Sequence, residues 1–307
     1  MANKEFGDNN GTEIDVNRRS LMRRTGLGMA GAAALAVTGL ATTSKPANAT
    51  NQGAGPPDAD IFNFALNLEY LEASFYLYAV TGQGLPSSLM TGTGTQGTVS
   101  PGAAVPFKSP AIQQYAKRIA VDEQAHVNFI RAVLTSSSVA VPAIDVSIGP
   151  NSSFSKLAVA AGLIVQGQTF NPYADDVSFL LGASIFEDVG VTAYAGAAAL
   201  IGTPAYVTAA ACILAVEAYH AGAIRTLLAN IGGGVAFDAI AALRATLSQA
   251  SDEAGILIPG ENYNFDPTDD NGLVFRRTPG QVLNVVYGNT TTTPGLFFPN
   301  GMNGNIR

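Results

Sequence analysis

Glu123-Gln124-Ala125-His126 and Glu217-Ala218-Tyr219-His220 contain both histidines of this 307-residue chain, and each histidine has a glutamate three residues before it. On a helix, positions i and i+3 share a face about one turn apart, so each carboxylate and imidazole can reach one ion or a close pair. Glutamate is scarce, with 7 in residues 50–307, which makes the double coincidence informative.

Two further glutamates stand in matching context. Glu69 precedes Tyr76 by seven residues and Glu187 precedes Tyr194 by seven, close to two helical turns, so each pair shares a face. Apolar spacing with Pro and Gly punctuation predicts helices over 58–80, 110–134, 176–201 and 204–230. A weaker fifth helix is predicted near 236–250 and a short one within 155–165. The second helix is opened by Ser109-Pro110, an N-cap followed by Pro at N1, and the fourth by Thr203-Pro204. Glu69 and Glu187 each lie 11 residues after Asp58 and Asp176, and Glu123 and Glu217 each lie 13 after Pro110 and Pro204. The chain therefore holds two copies of one unit, a Glu helix followed by a Glu-x-x-His helix. Antiparallel hairpins would bring Glu187 level with Glu217 and Glu69 level with Glu123. Glu72 rivals Glu69 as the first-helix ligand but would sit about one turn off level.

Four carboxylates in a bundle core are costly unless neutralised. Two divalent ions cancel them, and oxygen-rich ligands with one imidazole per metal suit iron or manganese better than structural zinc. The predicted metal ligands are Glu69, Glu123, His126, Glu187, Glu217 and His220, and the predicted cofactors are two transition-metal ions, Fe or Mn. No catalytic residue beyond these ligands is predicted. Asp122 reads either as an acceptor for an imidazole N–H or as an exposed acid. Tyr76 and Tyr194 read as donors to ligand carboxylates or to backbone. Cys212, on an Ala-rich helix, is predicted to be a small core residue, and the Ala/Gly-rich stretches 193–199 and 209–211 permit close helix packing.

Composition sets the outer bounds. One Cys excludes an intramolecular disulfide and a Cys-based zinc finger. A net charge of -7 and a pI near 4.8 argue against a nucleic-acid partner. Hydrophobic residues at 47% with charged residues at 13% argue against general disorder. Helices three and four are apolar enough to raise a membrane span, yet Glu187-Asp188 sits within one and Glu217, His220 and Arg225 within the other. Charges at span centres cost several kcal/mol, so a water-soluble bundle with a polar interior is expected.

The first 49 residues read as an export signal. Asn17-Arg18-Arg19-Ser20-Leu21-Met22 is a twin-arginine stretch, Thr25–Leu40 is a weakly apolar run of 16 residues, and Ala47-Asn48-Ala49 is a small-x-small cleavage site. A run of 16 is short for a span of about 20. The expected organisation is signal 1–49, linker 50–57, di-metal four-helix bundle 58–231, and fifth helix with C-terminal extension 232–307. Residues 50–307 hold 10 Lys+Arg and 19 Asp+Glu, a net charge of -9 that suits a periplasmic or extracellular protein.

The sequence resembles the ferritin-like superfamily. The resemblance rests on Asn67-Leu68-Glu69-Tyr70-Leu71-Glu72-Ala73-Ser74-Phe75-Tyr76, Asp122-Glu123-Gln124-Ala125-His126, Glu187 and Glu217-Ala218-Tyr219-His220. More narrowly it is similar to exported bacterial ferritin-like proteins related to plant desiccation-related proteins, a likeness that adds Arg277-Thr278-Pro279-Gly280-Gln281-Val282-Leu283 and Phe297-Phe298-Pro299-Asn300-Gly301. It covers about 58–307 and implies an all-α ferritin-like four-helix bundle with an extra helix and an irregular C-terminal tail. Iron-storage ferritins lack the second Glu-x-x-His histidine and have a short first loop, so this chain departs from a storage cage.

The resemblance implies a di-iron or di-manganese oxidoreductase acting on dioxygen or peroxide in stress defence, with the manganese catalases, also ferritin-like, the runner-up within that class. The alternative is a non-enzymatic desiccation or stress protein whose metal site is structural. Expected partners are metal ions and dioxygen or peroxide, with no nucleic acid and no membrane for the mature form, and a homo-oligomer is compatible. Replacing Arg18 and Arg19 by Lys is expected to leave uncleaved precursor in the cytoplasm, read by cell fractionation. Unchanged export of that double variant would overturn the twin-arginine assignment.

Overall fold

The structure, a computed structural model, describes residues 55–250, 254–257 and 263–307. The predicted export signal, residues 1–49, and residues 50–54 of the linker lie outside them. Seven helices are present among the described residues: α1 Asp58–Thr81, α2 Pro110–Leu134, α3 Ser153–Ala160, α4 Asp176–Ala197, α5 Pro204–Asn230, α6 Gly234–Ser248 and α7 Pro279–Tyr287. The fold is all-α, as expected. The one sheet described is a short parallel pairing of β1 Val99–Ser100 with β2 Ile144–Asp145, which ties the two long connections together.

The helix boundaries follow local chemistry. Asp58 and Asp60 sit in the first turn of α1, where the helix dipole favours them, and Gly82 ends it in the left-handed conformation at φ 72°. Ser109 and Asp175 accept hydrogen bonds from Ile112 N and Ser178 N at the starts of α2 and α4. The Thr203 side chain does not cap α5. Instead the Asp58 carboxylate accepts from the backbone of Gly202 (2.8 Å) and Thr203 (2.9 Å), joining the start of α1 to the α4–α5 turn. α4 ends at Ala197, short of the predicted 201, and a turn at 198–200 precedes Gly202.

α1 packs on α2 and α4 packs on α5, and the two hairpins meet through α1–α4 and α2–α5. The first pair is antiparallel, since Asn63 near the start of α1 donates to Ser137 O just beyond the end of α2 (3.0 Å). α4 and α5 are each long and apolar enough to cross a membrane by length and composition. In α4 this reflects a core position, because 89% of its apolar stretch is buried. In α5 only 33% is buried, so one apolar face points outward. Cys212 lies on that face and is exposed, which corrects the expectation of a core residue: Ile213 and Glu217 take the inward positions, and Cys212 falls about 100° from Ile213.

The C-terminal region also departs from expectation. It was expected to be irregular, yet Pro279–Tyr287 is helical, opened by a capping box between Thr278 and Gln281. Beyond it the chain returns to the core. Phe297 stacks edge-on against Phe154 of α3 (5.2 Å) and Phe186 of α4 (5.0 Å), within a cluster that includes Phe75 and Phe179. Asn303 exchanges hydrogen bonds with Asn67 of α1, N to Oδ1 at 3.1 Å and O from Nδ2 at 2.9 Å. The tail thus closes the bundle. Phe297→Ala, at a fully buried site, is expected to cost about 3–5 kcal/mol of stability by denaturant titration. A loss below about 1 kcal/mol would show that the tail is not part of the cooperative fold.

Candidate metal centre

The matched offsets bring the acidic residues to one level. Glu69, Glu123, Glu187 and Glu217 have no solvent exposure, and His126 and His220 are buried beside them. Ligand atoms of Glu69, Glu123, His126 and Glu217 all lie within 4.8 Å of one another, and so do those of Glu123, Glu187 and His220. Glu123 belongs to both groups and would lie between the ions if each group held one. Glu217 groups with His126 of the other hairpin, so the hairpins interlock through the site. Glu69 joins the first group and Glu72 joins neither.

Both imidazoles present Nδ1 to the carboxylates. His126 Nδ1 lies 3.2 Å from Glu69, 3.4 Å from Glu123 and 3.5 Å from Glu217. His220 Nδ1 lies 3.1 Å from Glu123 and 3.3 Å from Glu187, without hydrogen-bond geometry. The opposite nitrogen, Nε2 of His220, lies 3.3 Å from Asp122 Oδ2, and exposed Arg118 pairs with that same carboxylate. Asp122 therefore takes the acceptor role: its contact holds the proton on Nε2 and frees Nδ1 for an ion.

The tyrosines cross between hairpins. Tyr76 of α1 donates to Glu187 of α4, and Tyr194 of α4 donates to Glu69 of α1. Burial, then the adjoining carboxylate, raises both phenols well above their ordinary range, so they remain donors. Each tyrosine shares a helix face with one glutamate yet serves the other, because a side chain seven residues on reaches across the interface and not back along its own helix.

Electrostatics explain what the site needs. Burial and four neighbouring carboxylates hold Glu217 well above the ordinary carboxylate value, and burial raises Glu69 to about 7. Burial also works against ionised Glu123, but His126 and His220 outweigh it and bring it to about 2. Burial disfavours charged imidazoles, yet Glu69 and Glu123 raise His126 to about 10, and Glu187 and Glu123 raise His220 to about 11. Both oxygens of Glu123, both of Glu217, one of Glu187 and Nδ1 of His220 lack a hydrogen-bond partner while fully buried. Buried acceptors turned toward one another fit cations between them, and the residues present fit two divalent ions.

Asp188, one residue after Glu187, turns the other way. Arg225 binds it through Nε (2.9 Å) and Nη2 (2.8 Å), and Arg244 through Nη2 (2.7 Å). Phe237 lies under both guanidinium groups, 4.6 and 5.4 Å from its centroid. Sequence reading passed over this network, and the adjacent acids Glu187-Asp188 were the signal for it. It clamps α4, α5 and α6 just outside the site. A separate apolar cavity of about 600 Å³, with Tyr115, Tyr219 and Phe265 among its walls, lies on the outer side of α4 and α5 and contacts none of the six predicted ligands.

Residues 57–230 match the ferritin-like domain family. A curated relative from Nesocodon mauritianus, "Ferritin-like catalase Nec2", is 28% identical over 83% of this chain and 86% of its own length. "Desiccation-related protein PCC13-62" from Craterostigma plantagineum is 29% identical over 80% of this chain and 83% of its own. No solved structure matches significantly.

The imidazole shifts carry a sign. Both rings stay protonated at pH 7 in the metal-free protein, and an ion on Nδ1 displaces that proton. Calorimetric titration in buffers of different ionisation enthalpy is expected to show at least about two protons released per two ions bound, with affinity rising with pH up to about pH 10. Release near zero would show that the rings are not displaced by metal.

Proposed function

The chain belongs to the ferritin-like domain family, and from that premise we propose that it is an exported di-metal protein that decomposes hydrogen peroxide. The observation that carries the reading is the convergence of two complete Glu-x-x-His pairs with Glu69 and Glu187 in two groups sharing Glu123. The catalase name of one relative supports peroxide as the substrate. The twin-arginine stretch at Arg18-Arg19 supports export, which suits a protein loaded and folded before it leaves the cytoplasm.

Two iron or manganese ions held there would supply a two-electron couple, matching the electrons exchanged when one peroxide is reduced to two waters and a second is oxidised to dioxygen. That disproportionation balances without an outside reductant. The protein's part is positional and electrostatic. Four glutamates offset the charge of two divalent ions. Tyr76 and Tyr194 stabilise the ionised carboxylates of Glu187 and Glu69 by donating to them. Asp122 keeps the His220 ring in the tautomer that turns Nδ1 inward. The apolar shell around the groups strengthens each of these interactions.

A second reading has support in the desiccation-related relative and in the tail that locks the bundle. In it the ions chiefly hold the two hairpins together in a stress protein without turnover. Metal analysis and oxygen evolution separate the two. The first reading expects about two Fe or Mn ions per chain and dioxygen release from added peroxide. His220→Ala is expected to lower metal content and thermal stability together, since bound ions favour only the folded state, and to abolish the oxygen release. A wild type with its ions in place and no oxygen release, with either metal, would favour the structural reading.

A further inference from the structure

The two repeats differ at one inward position. Three residues after Glu69 stands Glu72, and three after Glu187 stands Gly190. A Cβ added at Gly190 would strike the Glu217 carboxylate and come within 3.5 Å of Glu72 Oε1. The missing side chain thus makes room on α4 that the Glu217 carboxylate occupies and the Glu72 carboxylate borders. Helical glycine costs about 1 kcal/mol relative to alanine, a cost set here against the room the site requires.

Glu72 is unlike the four glutamates of the site. It belongs to neither ligand group, and its carboxylate makes no hydrogen bond or ion pair among the described residues. It is 5% exposed, whereas the other four are at 0%. A buried carboxylate without a protein donor takes its hydrogen bonds from whatever enters the space it faces. That space is a crevice between α1 and α4, with Leu68, Leu71, Val189 and Val286 among its apolar walls and Glu72 and Gly190 at the end nearest Glu217. Val286 comes from α7, which packs on α4 and α6 outside the four bundle helices, and so walls the crevice from the outer side. The free volume of about 10 Å³ is the space of about one water-sized molecule, so anything larger passes only as the side chains that wall the crevice move aside. Both imidazoles come from α2 and α5, so this is the face of the site without a nitrogen donor.

We propose that this crevice is the entry port of the site, that it passes a molecule of two heavy atoms such as hydrogen peroxide and rejects alkyl hydroperoxides, and that Glu72 receives the peroxide by accepting a hydrogen bond from its O–H. The inference rests on the di-metal reading above. It gives α7 a role in selectivity and makes Glu72 a substrate-facing group distinct from the ligands. The alkyl group of tert-butyl hydroperoxide is far wider than a passage walled by Leu68, Leu71, Val189 and Val286.

The test uses the full mature chain loaded with ferrous ion, with metal content measured first. Nitric oxide, small and uncharged, serves as a probe of entry, read by the absorbance of its iron complex in stopped flow. Val286→Ala is expected to speed nitric oxide association and Val286→Phe to slow it, each by about tenfold, with metal content unchanged. Hydrogen peroxide is expected to oxidise the wild-type iron much faster than tert-butyl hydroperoxide does, with Val286→Ala narrowing that ratio. Glu72→Leu is expected to leave nitric oxide association unchanged, since that probe donates no hydrogen bond, while raising the KM for peroxide about tenfold. Nitric oxide rates that do not respond to Val286→Ala, or equal rates for the two peroxides in the wild type, would overturn the port even if Val286→Phe fails to fold. An unchanged KM in Glu72→Leu would overturn the role of Glu72. A wild type that binds no metal would instead overturn the di-metal reading and, with it, this one.

Discussion

Carboxylates that repel one another in a dry core set the terms for the rest of this protein. Glu69, Glu123, Glu187 and Glu217 are fully buried, and Glu72 nearly so. Such groups either take up protons or find positive charge, and leaving them ionised and unmatched costs several kcal/mol each. In the metal-free chain the two imidazolium rings supply part of the match, and Glu217 remains poorly compensated. Metal ions held by the two ligand groups would complete it. The site would thus be a source of instability without metal and of cohesion with it, because its acidic and imidazole groups come from all four bundle helices.

The scaffold is arranged to keep that repulsion in place. Tyr76 and Tyr194 cross between hairpins to the carboxylates opposite, so neither hairpin finishes its half of the site alone. Behind Glu187, Asp188 is gripped by Arg225 and Arg244. Burial works against its ionised form, but the two guanidinium groups prevail and hold its carboxyl below the usual range. One step of 100° along α4 therefore separates a carboxylate turned into the Glu/His groups from one committed to structure. Arg225 also donates to the carbonyls of Ala254, Gly255 and Asn264, which couples the chain after α6 to the helix that carries Glu217 and His220.

The bundle does not seal itself. Phe75 of α1 and Phe186 of α4 are covered by Phe154 from the second long connection and, at Phe186, by Phe297 from the tail. Segments with weak helical signal thereby become core. The outer face of α5 shows the converse, where Ala211, Cys212 and Ala215 are apolar or small and remain exposed.

Sequence alone carried the four long helices and the six inward residues, because both are written in local spacing. The i to i+3 pairing of Glu123 with His126 and Glu217 with His220, and the equal offsets from Pro110 and Pro204, follow from 3.6 residues per turn and need no knowledge of what packs where. Tertiary structure decided everything that depends on which helix faces which. It set Glu217 beside His126 and not beside its own His220, joined Tyr76 to Glu187 and Tyr194 to Glu69, and kept Glu72 apart from the ligand groups. It also turned Cys212 outward and buried Phe297 and Asn303, since a periodic pattern shows that a helix has an apolar face but not how many neighbours cover it.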